Sequence, residues 1–276
     1  MSTPAGVVLV PRLAKRGKVT QTRVVLSEWT KLHSLRSTRW SLLAATVLGI
    51  GFPLIFATIL SSRWGRMTPH ERGDQHPLDV ALAGVNVSQL PIAVLGVLVI
   101  TGEYATGMIR SSLIAVPKRL PVLWAKLGVY AVVSFLLMLP SVLISFFASQ
   151  AILRSHTSLG IAFSHPGVAR SVVGGALFLM LVGVFALAIG AIVRNTAGGI
   201  ASFAAIFFVI PPLLNVLPSS WNDAITPWLP SESARAIFSL THGPHTLAPG
   251  PGLAVFLGYC AFFITVAAFL LRRRDA

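Results

Sequence analysis

Seven histidines, eight acids and a single cysteine are the residues of this chain from which a reactive site would have to be built. His70, His76, His156, His165, His242 and His245 fall in the polar stretches between apolar ones, and no pair of them has ligand spacing with a carboxylate partner. Asp74, Asp79 and Glu232 are scattered, and no Ser/His/Asp or paired-carboxylate pattern stands out. No catalytic or metal-ligating residue is therefore assigned. Cys260 alone excludes an intrachain disulfide and a cysteine-based metal cluster, and in its apolar stretch it reads as a small buried hydrophobe. No G-x-x-x-x-G-K phosphate loop occurs. If ATP drives this protein, the ATPase is another chain, and this one binds no cofactor itself.

The elements that would position any site must be membrane elements. Only 11% of residues are charged, against roughly a quarter in an ordinary soluble domain, and mean hydropathy is +0.78. The net charge of +14 is concentrated at residues 12–39, at residues 110–126 and in Arg272, Arg273 and Arg274, all abutting long apolar stretches. Bases so placed look like the cytoplasmic flanks of membrane spans rather than a nucleic-acid surface. The basic leader of about forty residues is too long for the n-region of a secretory signal. The apolar runs are continuous, not alternating, so no β-barrel is indicated.

Gaps of more than 18 residues between charged side chains, trimmed where they turn polar, predict six spans: residues 40–62, 82–102, 127–152, 171–193, 196–217 and 252–271. With the N-terminus inside, the inner segments hold 16 of the 22 Lys and Arg, and the outer ones hold five of the eight acids. Both termini are then cytoplasmic, with residues 1–39 as a leader and residues 272–276 as a basic tail. Trp40 and Trp64 bracket the first span, Trp124 marks the inner mouth of the third, and Trp221 and Trp228 lie beyond the outer end of the fifth. The fold class is an all-α integral membrane protein with six transmembrane helices.

No span carries a charge in its interior. An ion-coupled carrier usually needs one there, so this argues against a secondary transporter, although backbone carbonyls can bind sodium. Ser134, Ser141, Ser145 and Ser149 along the third span read as interhelical hydrogen bonders, and Pro91, Pro140 and the pair Pro211-Pro212 should kink or end their helices. Two inner segments are more informative. In residues 20–39, Val25, Trp29 and Leu32 follow helical spacing among Arg23, Glu28, Lys31, Arg36 and Arg39, which predicts a basic amphipathic helix lying at the inner membrane surface. Between spans two and three, Tyr104, Met108, Ile109 and Leu113 make a short apolar ridge ahead of Pro117, which would end a helix. Gly107 beside the ridge either permits close backbone approach or sets a turn.

The order Glu103, three residues, Gly107, then Leu113-Ile114-Ala115-Val116-Pro117-Lys118-Arg119 with Lys126 at the next span resembles the inner loop of type-2 ABC (ATP-binding cassette) transporter permeases. The leader Glu28-Trp29-Thr30-Lys31-Leu32 with Ser34-Leu35-Arg36-Ser37 resembles the connecting helix of small bacterial members, and length and topology agree; Met108 stands where a Thr is often found. The resemblance implies a permease subunit in the bacterial plasma membrane without its own ATPase site. It would pair with a second permease chain, identical or a sister, above two ATP-binding subunits that hold ATP and Mg. It implies a coupling helix formed by Glu103, Tyr104, Gly107, Met108, Arg110, Leu113, Pro117 and Arg119, and an interfacial helix carrying Glu28, Trp29 and Leu32. Spans two and five would line the substrate path, which nominates Asn86, Gln89, Phe203, Phe207 and Asn215. Short helices over residues 219–240 would dip back into the outer leaflet. Efflux of a drug, peptide antibiotic or lipid, as in antibiotic resistance, is the implied role, with an ion-coupled carrier or channel, or a membrane enzyme or scaffold, as alternatives; lipid is a partner and nucleic acid is not.

Overall fold

Prolines, glycines and the lengths of the apolar runs set where the helices begin and stop. The computed structural model describes residues 20–108, 120–157, 159–216, 218–240 and 246–273. Helix α1 covers Gln21–Ser34; Leu35 leaves the helical region at ψ 128°, and α2, Arg36–Arg63, starts at once from that corner. A short α3, Pro69–Gly73, opens on a capping box between Thr68 and Glu71. Then come α4 (Pro77–Ala105), α5 (Leu120–His156), α6 (Val168–Val193), α7 (Thr196–Leu214), α8 (Ser219–Ile225), α9 (Pro230–Arg235) and α10 (Pro249–Arg273). There is no strand among the described residues. Helices α2, α4, α5, α6, α7 and α10 are long and apolar enough to cross a membrane, so the six-span fold class stands.

The differences from the predicted spans have local causes. Helix α5 runs seven residues ahead of its predicted start and, at 37 residues or roughly 55 Å, exceeds a bilayer core of about 30 Å. Leu120, Val122, Leu123 and Ala125 continue the helical pattern through Lys126, whose charge is met by partners described below. Pro91 and Pro140 sit inside continuous helices and end neither. Pro211 and Pro212 do shorten the fifth span. Lacking N–H groups, they break the α-pattern, and the backbone passes through a π-turn at Ala205–Val209, where the Ile210 N–H donates to the Ala205 carbonyl. The helix then stops at Leu214.

Helix α6 is the hub. Its most apolar window is 78% buried within the chain, against 17% for α2, α7 and α10, which leave broad apolar faces outward. It packs closely on α4 because a Cβ at Gly96 would strike the Gly183 carbonyl, and one at Gly183 would strike the Tyr130 hydroxyl. Tyr130 needs that space: fully buried, it donates to the Ile92 carbonyl at 2.6 Å and ties α5 to α4. Ser88 to the Ala45 carbonyl (2.7 Å) and Ser145 to the Ala81 carbonyl (2.9 Å) add bonds between helices. Ser141 and Ser149 bond within their own helix instead. Helix α9 and the turn after it pack inward, where Ala234, Ile237 and Phe238 join the core, Phe238 lies 5.0 Å from Phe178, and Arg170 donates to the Ser239 carbonyl at 2.9 Å, whereas α8 buries none of its residues.

Candidate functional site

Two charged residues flank the segment between the second and third spans: Glu103 in the last turn of α4 and Lys126 in the second turn of α5. A carboxylate at the C-terminal end of a helix faces the negative end of the dipole and is disfavoured there. Both residues are nonetheless buried, Glu103 at 8% and Lys126 at 3% exposure, so they must be paired. Helix α1 completes the pairing with Glu28, at 4% exposure, and Lys31. Lys126 Nζ lies 2.5 Å from Glu28 Oε2 and 2.9 Å from Glu103 Oε1; Lys31 Nζ lies 2.8 Å from Glu28 Oε1 and 3.0 Å from Glu103 Oε1. Two acids and two bases alternate around a neutral square, with only about 10 Å³ of open space beside it. Burial works to lower the Lys31 pKa, but hydrogen bonds and attraction from Glu28 and Glu103 outweigh it and hold the ammonium above its usual range.

The neighbouring residue, Tyr104, reaches the other way. The Arg194 guanidinium stacks over its ring at 5.1 Å and donates from Nη2 to the Leu270 carbonyl of α10 at 3.4 Å. Arg194 stands in the one sharp turn between α6 and α7 and has φ 57°, a conformation that costs an L-residue roughly 1–2 kcal/mol. One turn back, buried Thr101 accepts a hydrogen bond from Thr196, the first residue of α7, at 2.8 Å. The last turns of α4 thus collect α1 and α5 through Glu103, and α6, α7 and α10 through Thr101 and Tyr104. Helix α2 joins through the corner with α1, where Arg39 Nε donates to the His33 carbonyl at 3.3 Å.

Beyond Ala105 the chain turns out of α4. Thr106 N–H donates to the Gly102 carbonyl and Gly107 N–H to that of Tyr104, with Gly107 at φ +71°. Among the described residues nothing lies within 4 Å of a Cβ built on Gly107, and its positive φ sets a left-handed turn. Met108 is 47% exposed. Arg110, Leu113, Pro117 and Arg119 lie outside the described residues.

The helix predicted in the leader forms, and it carries a second, inward face. Val24, Glu28 and Leu32 are its buried residues, with Val24 against Val122 and Ala125 of α5. Val25 and Trp29 are 39% and 48% exposed, and with Leu26 they make an apolar strip facing away from the bundle. The acid in the middle of the buried face hid this from a reading by hydrophobic spacing; Lys126, ninety-eight positions away, is the partner that makes it tolerable.

Of the five residues nominated for a substrate path, Asn86 and Gln89 lie one turn apart on α4, and Phe203 and Phe207 one turn apart on α7. Asn86 lines a cleft of about 360 Å³ at the opposite end of the bundle, with Asp79, Thr226, Glu232 and Arg235. Gln89 is buried one turn further along α4. Phe203 and Phe207 stack on each other at 4.6 Å inside the core, beside the π-turn. Asn215 is exposed near the end of α7 and accepts from Asn222 at 3.3 Å. No metal-binding group of three or more ligands occurs among the described residues. Compared with protein-family profiles and with curated protein sequences, the chain matches none.

Proposed function

We propose that this chain is the membrane-spanning permease subunit of an ATP-driven transporter, both termini cytoplasmic, exporting an amphipathic or hydrophobic compound. ATP-binding subunits dock beneath it on the segment that follows Glu103 and Tyr104, and a second permease chain completes the path. Helix α1 lies at the inner membrane surface with Val25, Leu26 and Trp29 toward lipid. The observation that supports this reading is the convergence at Glu103 and Tyr104: a push on the next few residues meets a dipeptide bonded to α1 and α5 on one side and to Arg194 and α10 on the other. An ordinary loop needs no such anchorage. A titratable group at membrane depth would favour an ion-coupled carrier, but residues 82–102 and 127–152 carry no charge, and the square lies at the helix ends with its charges compensated.

Reconstitution tests it. In proteoliposomes the purified chain alone should neither hydrolyse ATP nor dissipate a proton gradient, and turnover should appear when its ATP-binding partner is added. Proton-driven flux by the chain alone would overturn the proposal in favour of the carrier.

A further inference from the structure

The charge pairing at the Glu103 end leaves a remainder. Glu28 and Glu103 are the acids described there, and both are taken by Lys31 and Lys126. Arg36 and Arg39, one turn apart at the start of α2, have no carboxylate partner among the described residues. Their side chains border an open cleft of about 440 Å³ whose remaining walls are Trp40 and Leu43. Trp40 is 70% exposed and Leu43 51% exposed, directly below the arginines on the apolar flank of the span. The start of α2 has no side-chain cap, so its positive dipole end, at which both arginines sit, is not offset by a side chain.

From this juxtaposition we infer that Arg36 and Arg39 form a binding site for the phosphate of an anionic phospholipid, with Trp40 at headgroup level and Leu43 along the acyl chain. Guanidinium forks match phosphate oxygens, the positive end of the helix dipole favours an anion, and the apolar half of the cleft suits a lipid better than a soluble phosphate. Occupancy has a mechanical consequence. Arg39 also holds the His33 carbonyl across the corner at Leu35, so a lipid phosphate there braces α1, the helix that carries Glu28 and Lys31 into the square. The site rests on the membrane reading and not on the transporter proposal, since it needs no ATPase partner.

The test uses the purified full chain in mixed micelles doped with phosphatidylglycerol or phosphatidylcholine, reading the thermal unfolding midpoint and co-purified lipid by native mass spectrometry. Phosphatidylglycerol should raise the midpoint in a saturable way and remain bound, and phosphatidylcholine should do neither. Arg36→Gln with Arg39→Gln should weaken the apparent affinity roughly tenfold or more. Arg36→Lys with Arg39→Lys, which keeps the charge and loses the fork, should fall between and covers the case in which the glutamine variant does not fold. Arg272→Gln with Arg273→Gln removes as much charge elsewhere and should leave the affinity unchanged. An equal loss in that control, or equal protection by millimolar glycerol phosphate, would overturn the lipid site.

Discussion

The two ends of the bundle handle polar groups in opposite ways. At the Glu103 end every described acid is buried and paired within 3.0 Å, and the space beside the square is about 10 Å³. At the Asp79 end the cleft is about 360 Å³, Asp79 is exposed, and the ion pair there, Arg235 with Glu232, is loose at 3.6 Å and open to water. A dry, compensated network resists separation of the helices it joins, because parting them strands charges in a poor dielectric. A wet, open one resists little and leaves room for something else. The contrast suits a rigid joint at one end and a cavity that can change shape at the other.

The largest effect should come from removing one cation at each end. Lys126→Met leaves Glu28 and Glu103 facing each other with only half-exposed Lys31 between them, and should destabilise by about 3–5 kcal/mol. Arg235→Met breaks a pair whose side chains are 52% and 31% exposed, and should cost roughly 0–1 kcal/mol. Denaturant titration of both purified variants measures the difference. Adding Glu28→Gln to Lys126→Met leaves Lys31 with Glu103, a neutral pair, and should recover much of the loss. Equal costs at the two ends would erase the distinction between them.

A smaller effect sharpens what the Glu103 end hands on. Because Gly107 has φ +71° and no described residue within 4 Å of a Cβ built on it, the penalty for a side chain there should be backbone strain rather than collision. Gly107→Asn should then cost only a few tenths of a kcal/mol, since Asn tolerates the left-handed region, and Gly107→Val about 1–2 kcal/mol. Were the glycine there to admit a close neighbour within the chain, both would be equally harmful. Thermal unfolding ranks the two variants, and partner recovery after reconstitution shows whether strain at this turn reaches the docking segment.

Legibility from sequence followed the same division. The six helices long and apolar enough to cross a membrane are legible because a long uncharged run is a local property of the chain. Glu28, Trp29, Leu32, Glu103 and Lys126 each stand out in the sequence, but their relation does not. Glu103 and Lys126 are 23 positions apart and Glu28 is 98 from Lys126, and no periodicity links three separate helices. Hydrophobic spacing marks Val25 and Trp29, which stay exposed, whereas the face buried against α5 centres on a glutamate and leaves no apolar period. The role of Arg194 has no such signal, since neither its positive φ nor its place over Tyr104 leaves a trace in composition. The cleft around Asn86 is likewise a tertiary product, joining the start of α4 to residues more than 140 positions later.

The smallest effect is a pH dependence with opposite signs at the two ends. At the Glu103 end, Lys31 has a folded pKa raised above its ordinary 10.5, because its hydrogen bonds to Glu28 and Glu103 outweigh burial. The folded state therefore holds that proton more tightly than the unfolded chain. Its contribution is fully present below pH 10.5 and is lost as pH rises through the folded value. At the other end, Glu71 accepts from the Thr68 N–H and hydroxyl, which lowers its folded pKa below 4.5. That contribution is present above pH 4.5 and fades as pH falls through the lower folded value. Lys31→Met should flatten the alkaline limb of a stability-against-pH curve and leave the acid limb alone, and Glu71→Gln should do the reverse. The magnitudes differ in reach as well as sign. Lys31 shares a buried network, so its loss should be visible in global unfolding, whereas Glu71 is solvent-exposed and caps five residues. Its loss should appear as faster amide exchange confined to α3. An alkaline limb unchanged by Lys31→Met would mean that the square does not depend on its fourth member and that Lys126 alone holds the two carboxylates.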